Sequence, residues 1–167
     1  MRMALKEKLQ ADVKEALKSG NAMKRMVLGL VLSSIKSREL DKRGKLSKSE
    51  SDTSRLEELS KLNDEEIVEV LSSEIKKRRE AIDLYEKGGR PELVAKEGDE
   101  LNILMEYMPE QMSEDAVREE VKKAIASTGA VGIKDMGKVI GAVMTKIKGK
   151  ADGTLVSKIV KEELSRP

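Results

Sequence analysis

Between Ile133 and Lys161 the chain places seven lysines (Lys134, Lys138, Lys146, Lys148, Lys150, Lys158 and Lys161) against two acids, Asp135 and Asp152. The whole chain carries a formal net charge of only +2, so everything outside this stretch is net negative. A basic patch concentrated on an otherwise balanced protein is the electrostatic footprint of a polyanion site. A solvated lysine face is the plainer alternative. Two glycines add to the pattern. On a helix turning about 100° per residue, Ile133, Met136, Val139, Ile140, Val143, Met144 and Ile147 share one apolar arc. Gly137 and Gly141 lie at its edge, and Lys148, Lys134, Thr145 and Lys138 lie just beyond. Each glycine inside a helix costs about 1 kcal/mol relative to alanine. A pair four apart therefore points to close backbone approach along that edge, a close-approach helix edge. Two partners fit it: a neighbouring helix, or a sugar–phosphate backbone gripped by the lysines.

Other chemistries are excluded by composition. The chain has no cysteine and no histidine. That removes disulfides, thiolate catalysis, cysteine-based zinc sites, the Ser-His triads and the usual general base near neutral pH. Gly149-Lys150 is not a phosphate loop, because Gly141 stands eight positions earlier rather than five, and Ala151 follows where serine or threonine is needed. Asp152-Gly153 is too little for a calcium loop. Ser33-Ser34-Ile35-Lys36 has the letters of a Ser-x-x-Lys nucleophile without its companion motifs. The carboxylates scatter at helix-surface spacings beside lysine and arginine. No catalytic residue, cofactor or metal site is expected from these residues.

The elements that position the basic stretch read as seven helices. Aromatics make up 1% of the 167 residues, so the core must be built from Leu, Ile, Val, Met and Ala, as in helix-on-helix packing. The first helix covers about 3–18 through Leu5, Leu9, Val13, Ala16 and Leu17. The second covers about 22–40 through Met23, Met26, Val27, Leu30, Val31 and Ile35, and its wide apolar arc predicts deep burial. Its "MVLGLVLSS" run is too short for a membrane span and reads as a buried helix rather than a leader. A cytoplasmic protein, with no membrane contact, is expected. Residues 42–61 are polar and serine-rich and read as a mobile insertion, with at most a short helical turn near Leu56, Leu59 and Leu62. The third helix starts after Asn63 and runs to Gly88-Gly89, with Arg78 on its apolar stripe. The "KKRR" at 76–79 pairs with Glu74, Glu80 and Asp83 at helical spacings and reads as a structural face. The fourth starts at Pro91 and stops at Pro109. Ser113 caps the fifth and Gly129 ends it. The sixth spans about 134–148, "GKADG" is a turn, and the seventh spans about 154–165. The expected architecture is all-α: an N-terminal helical bundle over 1–109 followed by a small three-helix C-terminal domain over 110–167.

Three segments in this order resemble one family. "SEIKKRREAIDLYEKGGR" (73–90), "YMPEQMSED" (107–115) and "DMGKVIGAVMTKIKGKADGTLVSKIV" (135–160) are similar to the GatB/YqeY family, and to its stand-alone YqeY-type members in particular. The resemblance implies an all-helical, two-part fold. It also implies a link to the glutamine-dependent tRNA amidotransferase, a carbon–nitrogen ligase with glutamine as amido-N-donor, in which a related tail domain holds the tRNA body. Nothing in this chain matches a kinase–transamidase portion or a glutaminase. The implied partners are tRNA, aminoacyl-tRNA or the amidotransferase machinery. On the positions that match, the resemblance makes Lys138, Lys146, Lys148, Gly149 and Lys150 candidates for RNA contact, and the basic strip adds Lys134 and Lys158. The rival from another class is a helical protein–protein interaction module without nucleic-acid binding, which nine methionines would suit.

Overall fold

The structure, a computed structural model, describes residues 3–166. Among the described residues the chain forms eight α-helices and one 3-10 turn, with no strand. It divides into two compact units, Met1–Met108 and Pro109–Pro167. No helix among the described residues is long and apolar enough to cross a membrane.

The first unit contains α1 (Leu5–Lys18), α2 (Ala22–Leu46), α3 (Thr53–Ser60), α4 (Asp64–Lys87) and α5 (Pro91–Met105). Local chemistry sets each boundary. Gly20, at φ 72°, turns the chain between α1 and α2, where Asn21 Oδ1 accepts from the Lys24 N–H. Asn63 and Glu66 form a reciprocal capping box that satisfies two end donors of α4. Pro91 opens α5, where its missing N–H costs nothing. Leu9, Val27, Leu28, Val31, Ile35, Ile67, Leu71, Ile75 and Leu104 fill the core. Tyr107 closes it, with its hydroxyl donating to Asp12 at 2.5 Å and Lys8 lying over its ring. Burial and the neighbouring Asp12 carboxylate both push the Tyr107 phenol well above its usual range.

Three expectations need correction here. The second helix runs six residues past 40, to Leu46. The supposed mobile insertion reduces to the short connection 47–52. The rest is α3, whose Asp52 cap accepts from the Ser54 and Arg55 N–H groups and whose Leu56 packs inward. Of the serines that read as loop residues, Ser47 caps the end of α2, Ser54 and Ser60 belong to α3 with Ser60 buried, and Ser49 and Ser51 remain in the connection. Finally, Leu17, Met26 and Leu30 stay exposed, because a helix contacts its neighbours over a narrower arc than its apolar residues occupy.

Two charged clusters are buried. Arg78 leaves the surface pairing of its neighbours and reaches α5, where Nε lies 2.9 Å from Glu100 and 3.4 Å from Glu97. Lys76 and Lys77 make the expected pairs with Glu80 and Glu74, while Asp83 pairs with Lys87 from outside the 76–79 cluster. Glu39 on α2 accepts from Lys6 at 2.5 Å and from the Leu62 N–H at 3.2 Å, joining α1, α2 and the start of α4. Burial alone would raise the Glu39 carboxyl, but these two hydrogen bonds outweigh it and hold the group below its ordinary value of 4.5.

A folded-state value below the unfolded one means the stabilisation is present above the unfolded value and is lost as pH falls through the folded one. Denaturant titrations between about pH 3 and 7 should therefore show stability declining below 4.5, and a Glu39→Gln variant should show a smaller decline. Leu56→Ala is expected to cost about 2 kcal/mol, whereas Leu59→Ala, at a position 49% exposed, should stay within about 0.5 kcal/mol. Equal effects in urea unfolding would show that α3 is not packed on the bundle.

Candidate nucleic-acid interface

The second unit contains α6 (Glu114–Thr128), a 3-10 turn (Ile133–Asp135), α7 (Met136–Ile147) and α8 (Gly153–Leu164). Its core is made of small residues: Val117, Val121 and Ala124 from α6, Val139, Val143 and Ile147 from α7, and Val156, Ile159 and Val160 from α8. Ser113 caps α6, and Gly129, at φ 64°, ends it. Asp152 caps α8 through the Thr154 N–H. Ile133 departs from the expected inward arc and is half exposed, because the 3-10 turn breaks the helical phase before α7 begins.

The lysine-rich turn has a defined geometry. Lys148 sits at φ −49° and ψ 125°, Gly149 at φ 74°, and the Lys150 N–H returns to the Ile147 carbonyl at 2.8 Å. This is a type II turn, whose third residue needs the left-handed conformation that glycine adopts without steric cost. The turn is tied down from outside. The Met112 N–H donates to the Lys150 carbonyl at 2.8 Å, and Gln111 Nε2 donates to the Gly149 carbonyl at 2.8 Å and to the Pro109 carbonyl at 2.7 Å. The segment "PEQMS" thus straps the "KGK" turn. The carbonyls of Gly149 and Lys150 are satisfied from below while the side chains of Lys148 and Lys150 remain exposed.

The other candidates separate into two groups. Gly137, Lys138 and Gly141 on α7, and Lys134 on the 3-10 turn before it, are all exposed. Lys138 Nζ donates to the Thr128 carbonyl at 2.8 Å, a cation at the end of α6 where the helix dipole favours it. Lys146 and Lys158 lie nearer to acids. The Glu120 carboxyl is held below its usual value first by the Lys123 hydrogen bond and further by the charge of Lys146. Glu162 is lowered first by its hydrogen bond from Arg118, with a smaller contribution from Lys158. Arg118 gathers Glu114, Glu162 and Glu163 at 3.1, 2.8 and 2.7 Å, so the acids of α8 face α6. Among the described residues no carboxylate forms an ion pair with Lys134 or Lys150.

The neighbouring-helix explanation for the glycines is overturned. A Cβ built at Gly137 or Gly141 would meet nothing within 4 Å, so neither position is needed for helix packing. Helix α7 carries about 1 kcal/mol of propensity cost at each of them, and no contact among the described residues of the second unit offsets it. The edge is open to an outside partner. Among the described residues no group of three or more carboxylates could hold a metal ion. Sequence reasoning missed Gln111 and Met112 as supports of the turn. The signal available was a polar side chain and a free N–H directly after Pro109, a residue that cannot continue α5.

An all-helical chain ending in a small three-helix unit with a lysine-rich, glycine-turned face is the class of protein that these features define. A sequence model of the Yqey-like protein family matches residues 6–164, and the chain belongs to that family. It is also similar to the Altered inheritance of mitochondria protein 41, mitochondrial, of Pyrenophora tritici-repentis (strain Pt-1C-BFP), at 32% identity over 102 residues. That match covers 59% of this chain and 56% of the relative, so the chain spans little more than half the length of the curated protein it matches.

The two kinds of glycine predict opposite outcomes. Gly141→Ala should stabilise the chain by about 0.5–1 kcal/mol. Gly149→Ala should destabilise it by about 1–2 kcal/mol, because its left-handed backbone strains any Cβ. Thermal unfolding of the two variants checks the signs, and a destabilising Gly141→Ala would show that its edge is packed after all.

Proposed function

We propose that this chain is a tRNA-binding accessory protein, linked by kinship to the glutamine-dependent tRNA amidotransferase, that holds the tRNA backbone on the face formed by α7 and the turn after it. The observation that carries this reading is the pairing of two features. Lys148 and Lys150 stand on a turn made rigid by Gly149, Gln111 and Met112. Beside it runs a helix edge where Gly137 and Gly141 are uncovered and Lys134 and Lys138 are exposed. Lysines act as point charges on phosphate oxygens, and missing side chains let a backbone approach closely. Recognition would rest on phosphate positions and shape. With aromatics at 1% of the chain, stacking platforms for exposed bases are not available.

The role is one of holding rather than chemistry. The carbon–nitrogen ligase activity associated with the wider family would reside in partner subunits that act on the aminoacyl-tRNA. The proposed setting is the cytoplasm, which suits a chain without cysteine.

Fluorescence anisotropy with labelled tRNA across a salt series tests the reading. Binding should weaken linearly in log–log form as salt rises. The Lys146/Lys148/Lys150→Ala variant should bind about tenfold more weakly at low salt. Its slope should be shallower by about two, since the phosphates held by Lys148 and Lys150 would keep their counterions. Absence of wild-type binding even at low salt would assign the face to solvent and favour a protein partner.

A further inference from the structure

The link between α6 and α7 presents an apolar tip to solvent. Val131 is 94% exposed and Ile133 is 53% exposed. They are the large hydrophobic residues left exposed in the second unit among its described residues; the others of this kind belong to the first unit. A single exposed valine is ordinary. Two on one tip, in a unit that otherwise buries its apolar residues, need a reason.

The tip is held in place. The Val131 N–H donates to Asp135 Oδ2 at 3.0 Å, and the Asp135 N–H donates to the Gly132 carbonyl at 2.9 Å. On the other side the Ala130 N–H reaches the Ile125 carbonyl at 3.3 Å, and Lys138 Nζ grips the Thr128 carbonyl at 2.8 Å. The same Lys138 and the adjacent Lys134 belong to the basic strip. These hydrogen bonds fix an apolar projection directly beside cations placed for phosphate.

From this juxtaposition we infer that Val131, backed by Ile133, is an apolar contact for an unstacked base or its ribose in a folded RNA held on the α7 face. The inference rests on the RNA reading above and adds to it a preference for RNA with unpaired nucleotides. Phosphates exist on every RNA, so lysines alone do not distinguish a loop from a duplex. Splayed-out nucleotides in loops expose base and sugar surface that a duplex covers, and aliphatic side chains wedge against unstacked bases in nucleic-acid complexes. This contact is independent of counterion release and leaves the salt slope unchanged.

The test uses the full chain and two labelled RNAs of equal length, a hairpin with an unpaired loop and a fully paired duplex. Wild type should favour the hairpin. Val131→Ser should weaken hairpin binding about tenfold at every salt concentration, in keeping with the burial of one valine, with the slope unchanged and duplex binding unaltered. Because the chain has no tryptophan, Val131→Trp supplies a single fluorescent reporter at an exposed position. Its fluorescence should be quenched by the hairpin and not by the duplex. Hairpin binding that is unaffected by Val131→Ser, together with no quenching in the Val131→Trp variant, overturns this inference alone and assigns the tip to a protein partner. Failure of wild type to bind either RNA overturns the RNA reading itself and this inference with it.

Discussion

The left-handed backbone of Gly149 is the constraint on which the second unit depends. It lets the chain leave α7 in a type II turn and re-enter a helix soon afterwards, with Asp152 as cap. The turn also exposes two carbonyls that must be satisfied, and Gln111 and Met112 do so. The start of the unit is thereby tied to the connection between its last two helices. Lys148 and Lys150 inherit their placement from this arrangement. Their charges could be carried by any basic loop. A mobile loop would lose conformational entropy when a ligand bound, whereas this turn is ordered by the fold beforehand.

The core around the turn imposes the second constraint. Valine dominates it, with two isoleucines and one alanine, and three helices of 12 to 15 residues supply its area. Small side chains bring helix axes close, so each helix presents a narrow inner arc and a broad outer one. On α7 the outer arc carries Gly137, Gly141 and Lys138, and Lys134 is exposed on the 3-10 turn that precedes it. Most acids of the unit are engaged: Glu162 and Glu163 on Arg118 between α6 and α8, Glu119 and Glu120 in pairs along α6, Asp135 on the Val131 N–H and Asp152 as the cap of α8. This sorting of charge gives a near-balanced chain a locally positive face.

The first unit uses its charges differently. Its long helices α2 and α4 carry charge on nearly every turn, and several charges are turned inward to bridge helices. Arg78 reaches Glu100, and Lys6 reaches Glu39. Removing one member of such a pair strands a buried charge, so these contacts favour one arrangement of helices over its slid alternatives. Lys42 with Glu66 and Arg38 with Glu69 add a link between α2 and α4 nearer the surface.

Much of this was determined by the sequence alone. The lack of aromatic residues, the 3.6-residue spacing of apolar side chains and the Ser113, Asn63, Pro91 and Gly129 boundary signals act within a turn or two of chain. They specify helices wherever they occur. The basic stretch and its two glycines were equally legible, since charge and residue type need no fold to be counted. What the tertiary structure alone decided depends on partners far apart in sequence. Leu56 reads at most as part of a short helical turn in a polar insertion until α2 packs against α3 and buries it. Gly141 fits either a neighbouring helix or an outside backbone until nothing is found beside it within the second unit. Gln111 has no evident purpose until Gly149 presents its carbonyl 38 residues away. Val131 is one more apolar residue until the fold leaves it outside. Local periodicity encodes which face a helix could bury; only the assembled helices determine which of those faces is covered and which is left open to a ligand.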